Sequence, residues 1–179
     1  MSKSLDVKGV KQLLNFVEKE CREYDTTELY RSILPMHGND LSKFIKLRLF
    51  IQIDNQKEIL KFFSHKRNKS AIKKRLIMII NSIITNKRNN DLYEIEHKDI
   101  FLGVKSYVGA MKFHSQDNVR IICRDYNPLN EINIVMIEAF KKQGNTNVED
   151  SSYNNRLKSA IKLKHYYKEK DTEKIIYIS

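Results

Sequence analysis

The chain has little of what marks the specialised protein classes. Its 179 residues hold two cysteines, two prolines, five glycines and no tryptophan. So few Gly and Pro exclude a collagen-like repeat. Cys21 and Cys123 are too few for a disulfide scaffold, and without a Cys-x-x-Cys pair that zinc signature is missing too. Acidic residues are scarce, 22 against 33 Lys and Arg, which leaves a formal net charge of +11. The longest apolar run, Leu76-Ile77-Met78-Ile79-Ile80, is far below the roughly 20 residues of a membrane-spanning helix. Met1 to Lys8 lacks the apolar stretch of a signal peptide. These absences lead us to expect a reduced, soluble, cytoplasmic protein that does not engage a membrane.

What is present is apolar and basic. A hydrophobic fraction of 41%, rich in Ile, Leu and Phe, excludes wholesale disorder. An excess of cations favours polyanions, because each phosphate neutralised by Lys or Arg releases a condensed counterion. The same excess also serves plain solubility.

Residues 5–24 predict an amphipathic helix: Val7, Val10, Leu13, Leu14, Val17 and Cys21 recur at three- and four-residue steps. Tyr24 to Ser42, interrupted by Pro35 and Gly38, reads as a helical turn and a loop. Residues 44–53 partly alternate, with Leu47, Leu49 and Ile51 on one face and Lys46, Arg48 and Gln52 on the other, and predict a half-buried strand. Residues 56–88 predict two helices around the polar corner His65 to Ser70, and hold ten Lys/Arg against one acid, Glu58. Tyr93 and Ile95 can open a strand. Three β-rich runs follow, over 101–114, 119–126 and 132–140, joined by short turns that demand antiparallel pairing. A helix is expected over 151–170 and an edge strand from Ile175. The expected fold class is α+β: a helix pair packed on a small antiparallel sheet whose other face stays available, with an N-terminal helical extension (1–44) and a domain over 45–179 that ends in a C-terminal helix.

No nucleophile elbow, Walker A loop or His-Glu-x-x-His motif is present. Basic and aromatic residues concentrate instead in the C-terminal half. Alternation places Lys112 with His114, and Arg120 with Arg124, on one sheet face. Such a face can grip a phosphodiester and stabilise the charge of its transition state. The imidazole of His114 could exchange a proton with a ribose 2′-hydroxyl or a leaving oxygen. Equally, these residues could be the solvated side of a one-sided sheet. Lys141 and Lys142 follow the last long strand. On the expected final helix, Lys158, Lys162 and His165 (or Tyr166) share a face near Arg156, and a Lys/His/Tyr cluster can bind phosphate and stack bases. His37, His65 and His97 lack a second ligand at helical spacing, so no metal site is expected. Cys123 reads as core, while Glu138, a charge inside an apolar run, could act as a base.

From about Leu47 to Tyr167 this pattern resembles the RelE/HigB-type toxins of bacterial type II toxin–antitoxin systems, in the RelE/ParE superfamily. The resemblance is carried by a first strand and a basic helix pair, Leu92-Tyr93-Glu94, the hairpin Met111-Lys112-Phe113 with Val119 to Arg124, the strand Ile134 to Phe140 ending in Lys141-Lys142, and the helix from Asn155-Arg156-Leu157. It implies an mRNA endonuclease, often ribosome-bound, that needs no metal or other cofactor, attacks through the 2′-hydroxyl and is neutralised by an acidic antitoxin protein. By position, Lys112, His114, Arg120 and Arg124 would line the sheet, with Lys141, Lys142, Arg156, Lys162, His165 and Tyr166 closing it. Catalysis would fall to Lys112, His114, Arg120, His165 and Tyr166, and RNA binding to the others. The rival readings are a non-catalytic basic nucleic-acid-binding protein of phage or mobile-element origin, and a protein-interaction module.

Overall fold

The computed structural model describes residues 19–33, 46–85, 89–101, 104–127, 131–142, 151–168 and 175–177. Residues 5–18 of the expected 5–24 helix, the Pro35–Gly38 loop with His37, and the loop 143–150 lie outside them. In chain order the elements are β1 (Lys19–Tyr24), α1 (Thr27–Ile33), β2 (Lys46–Gln52), α2 (Gln56–Phe63), α3 (Lys69–Ile84), β3 (Tyr93–Phe101), β4 (Val104–Phe113), β5 (Val119–Asn127), β6 (Glu131–Lys141), α4 (Ser151–Lys162), β7 (His165–Lys168) and β8 (Ile175–Tyr177). Among the described residues no helix is long and apolar enough to cross a membrane.

The strands form one eight-stranded sheet in the order β3-β4-β5-β6-β2-β1-β7-β8. This corrects the expected small antiparallel sheet. The hairpin neighbours from β3 to β6 are antiparallel, as their short turns require. But β2 pairs parallel with β6, and β1 parallel with β7. Both parallel contacts join segments distant in sequence, so no turn signal announces them. Residues 19–24, read as the end of a helix, form a central strand between β2 and β7, with Cys21 fully buried and Arg22 exposed. The sheet overrides the helical spacing there.

One face of the sheet carries the helix pair. Ile72, Leu76, Ile79, Ile80 and Ile83 follow the spacing of a single helix face, and with Ile59 of α2 they pack on Leu47, Leu49, Met111, Phe113, Ile121, Ile134 and Met136. Each such side chain contributes about 1.5–3 kcal/mol on burial. The pair is locked to the sheet end by Arg75, which donates to the carbonyls of Lys112 (3.0 Å) and Asp91 (2.5 Å).

The opposite face, expected to stay open, is covered in part. Phe50, Val108, Ile122, Tyr126, Val135 and Ile137 form a second apolar layer there, covered by Leu157 and Ala160 of α4 and by Tyr167. The final helix also ends earlier than expected. The chain leaves it after Lys162 and turns into β7.

Candidate functional site

Lys112 and Arg120 are direct partners in the β4–β5 ladder, and Arg120 is in turn opposite Phe140 of β6. Strand alternation puts all three on the face beneath α4. Lys112 and Arg120 are buried, 9% and 5% exposed. Burying like charges side by side is costly, and one carboxylate offsets the cost: Glu94 Oε2 lies 2.5 Å from Lys112 Nζ and 3.8 Å from Arg120 Nη1.

Two β-bulges shape the surroundings. In β3 the register against β4 steps by one extra residue at Glu96, and in β6 the register against β5 steps at Ile137. Such bulges re-aim side chains. Glu96 accepts a hydrogen bond from the Tyr153 hydroxyl of α4 (2.5 Å). Glu138, opposite Ile122 after the second bulge, pairs with Arg156 of α4. The Arg120 guanidinium stands 5.8 Å from the Tyr153 ring centroid, Lys142 Nζ stands 6.0 Å from it, and Arg156 lies 5.0 Å from that of Phe140. Burial, and then donation to Glu96, holds the Tyr153 phenol protonated, with its pKa well above the ordinary value.

The resulting cluster has three carboxylates, four cations and a tyrosine. Glu94, Glu138 and Arg156 are 37%, 32% and 35% exposed, so the buried pair reaches the surface through them. The buried Nε of Arg120 has no hydrogen-bond partner among the described residues. Native proteins seldom leave such a donor unmade. Among those residues no three His, Cys, Asp or Glu side chains are grouped to hold a metal ion.

The other sequence-predicted residues are placed elsewhere. His114 is exposed in the β4–β5 turn, its Nδ1 3.3 Å from Asn118 Oδ1. That turn is made by Asp117 and Asn118, both with left-handed φ (59° and 52°), a conformation Asp and Asn tolerate. Lys141 is exposed and pairs with Asp117 at 3.1 Å. Lys162 is exposed at the end of α4.

Arg124 is a buried structural tie. It donates to Asp99 (3.0 and 3.1 Å) and Ser106 Oγ (3.0 Å), and to the carbonyls of Ala160 (3.4 Å) and Ile161 (2.6 Å) at the end of α4.

His165 is 1% exposed in β7, not on a helix. Its Nε2 lies 3.1 Å from Gln52 Oε1 and its Nδ1 3.3 Å from the Tyr126 hydroxyl. Tyr126 is six residues along β5 from Arg120, roughly 20 Å at strand rise, so His165 does not join the cluster. Burial, with the nearby Arg124 charge, pushes its pKa down to about 3. Tyr166 alternates to the other side of β7 and donates to Glu20 (2.9 Å). Both thiols, Cys21 and Cys123, are buried, which raises their pKa values far above the range of a nucleophile.

Sequence reasoning therefore singled out Lys112, Arg120, Lys142, Arg156 and Glu138, which the structure brings together. It passed over Glu94 as a chemical group, although Leu92-Tyr93-Glu94 was singled out as a motif, and it missed Tyr153 and Glu96. No family model, curated protein or solved structure matches the chain.

Proposed function

We propose that the chain is an endoribonuclease that cleaves mRNA by attack of the ribose 2′-hydroxyl on the adjacent phosphate, a toxin-like activity held in check by an acidic partner protein. The observation that carries this reading is the pair Lys112–Arg120 on one carboxylate, with an unspent buried donor on Arg120. In the reaction, Glu94 accepts the 2′-hydroxyl proton and the freed oxygen bonds to phosphorus. Lys112 and Arg120 donate to the non-bridging oxygens as negative charge builds on them. The bond to the 5′-oxygen breaks, and that oxygen takes a proton from Tyr153, whose phenol is kept protonated by burial and by Glu96. The products are a 2′,3′-cyclic phosphate and a 5′-hydroxyl end.

The test is cleavage of an mRNA, with and without ribosomes, by wild type and Glu94→Gln, with RNA affinity read separately. Loss of the base is expected to slow cleavage by about 10²–10⁴-fold and to leave affinity nearly unchanged. An affinity loss in a protein that never cleaves would favour the second reading, non-catalytic nucleic-acid binding. That reading has its own support in the ten Lys/Arg against one acid over residues 56–88.

A further inference from the structure

A cleft of about 390 Å³ opens on the helix-pair face of the sheet, between α2, the β4–β5 turn and the end of β6. Its volume falls within the range of small-ligand sites, roughly 300–1,000 Å³. A half-buried aromatic ring, Phe62, lines it with Val119 and Ala139, while Phe140 at its edge turns its ring to the opposite face, against Tyr153 and Arg156. Phe62 is braced from behind by Phe113 at 5.0 Å in an edge-to-face contact. Aromatic faces fixed in advance are stacking platforms for a planar ligand, with little ordering left to do on binding.

The rim is charged. Lys61, His65 and Lys141 stand around the opening with Glu58 and Asp117. Asp117 holds Lys141 in an exposed pair, the kind of contact that contributes little and that a phosphate oxygen can replace. Beyond the rim, the α2–α3 surface continues with Lys57, Lys66, Arg67, Lys69 and Lys74, so the cleft sits in a cationic field. Val119 and Ala139 turn to the helix pair, and their neighbours Arg120 and Phe140 to α4, so cleft and cluster sit on opposite faces at the same end of the sheet.

We propose that this cleft is a nucleobase subsite for single-stranded RNA, with a base stacked against Phe62 and the flanking phosphates on Lys61 and Lys141. The inference rests on the reading of the chain as an RNA-cleaving protein and names the part of the substrate that the cluster under α4 does not hold. A base needs an aromatic face, whereas a bare polyanion needs only the cations.

The experiment measures anisotropy of a short fluorescent 2′-O-methyl RNA strand, which cannot be cut by 2′-hydroxyl attack, with inorganic polyphosphate as a base-free competitor. Phe62→Leu is expected to weaken RNA binding about tenfold and to leave polyphosphate binding unchanged. The exposed double variant Lys61→Glu/Lys141→Glu is expected to weaken both, and its surface positions keep the test valid should Phe62→Leu unfold. RNA affinity untouched by the double variant overturns the subsite, and so does a Phe62→Leu loss shared equally by polyphosphate. Tighter binding of polyglutamate than of RNA overturns it in favour of an acidic protein partner. Failure of the nuclease reading is separate: it appears as wild type that binds this strand through the cleft yet leaves unmodified RNA uncut.

Discussion

Lys112 and Arg120 face each other across β4 and β5 and converge on the same Glu94 oxygen. Two buried cations served by one carboxylate are a poor arrangement for stability and a good one for holding a phosphate. Lys112→Met removes one cation and leaves Glu94 paired with Arg120. We expect its urea midpoint to stay level or rise by up to about 1 kcal/mol in stability, while RNA cleavage is lost. A large destabilisation would make Lys112 a structural residue.

Arg124 carries the opposite signature. Its guanidinium ties Asp99 and Ser106 to the last carbonyls of α4. Arg124→Met strips those carbonyls of their donor and should cost about 3 kcal/mol in a urea titration. Arg124→Lys should recover only part of it, since an ammonium lacks the fork that reaches both sides. Cleavage should fall in both, because Tyr153 and Arg156 are positioned by the same helix.

His165 provides a pH dependence of stability. The neutral ring suits both contacts, Nε2–H donating to Gln52 and Nδ1 accepting from Tyr126. Its pKa in the fold is about 3 against an ordinary value of 6.5. Between these values the unfolded chain binds the proton and the folded one does not, so this group's stabilisation is complete above pH 6.5 and is lost as pH falls. Wild type should lose about 2 kcal/mol more than His165→Gln between pH 6.5 and pH 5. Equal slopes in the two urea series would show that the ring protonates inside the fold.

At Gly109 the β3 backbone and the Tyr93 ring lie close against β4. A Cβ there would meet the Glu94 carbonyl and stand 2.9 and 3.0 Å from Tyr93 ζ-carbon and hydroxyl. Gly109→Ala should push β3 outward at a cost of about 1–3 kcal/mol, and, because it displaces Glu94, should reduce cleavage more than affinity. Full activity in this variant would remove Glu94 from the chemistry.

The local parts of this fold were legible in the sequence, and the non-local ones were not. Ile72 to Ile83 spelled one helix face, and the turns at Ser115–Asn118 and after Asn127 spelled antiparallel neighbours. The parallel contacts of β2 with β6 and of β1 with β7 depend on segments far apart in the chain and leave no local mark. Alternation was enough to bring Lys112 and Arg120 together. Helical periodicity misled at His165 and Tyr166: a helix continued to residue 170 groups them with Lys158 and Lys162, whereas β7 sends them to opposite sides. Glu96 was hidden by its bulge, which no spacing rule registers.

Cleavage of an RNA against the same strand carrying a single 2′-deoxyribose at the cut position separates this chemistry from every alternative. In EDTA, the wild type should cut the all-ribose strand to a 2′,3′-cyclic phosphate and a 5′-hydroxyl, and leave the deoxy-substituted bond intact. Cutting of the deoxy-substituted bond, or no cutting of either strand with ribosomes present, would contradict the assignment of Glu94, Lys112 and Arg120 to a 2′-hydroxyl attack.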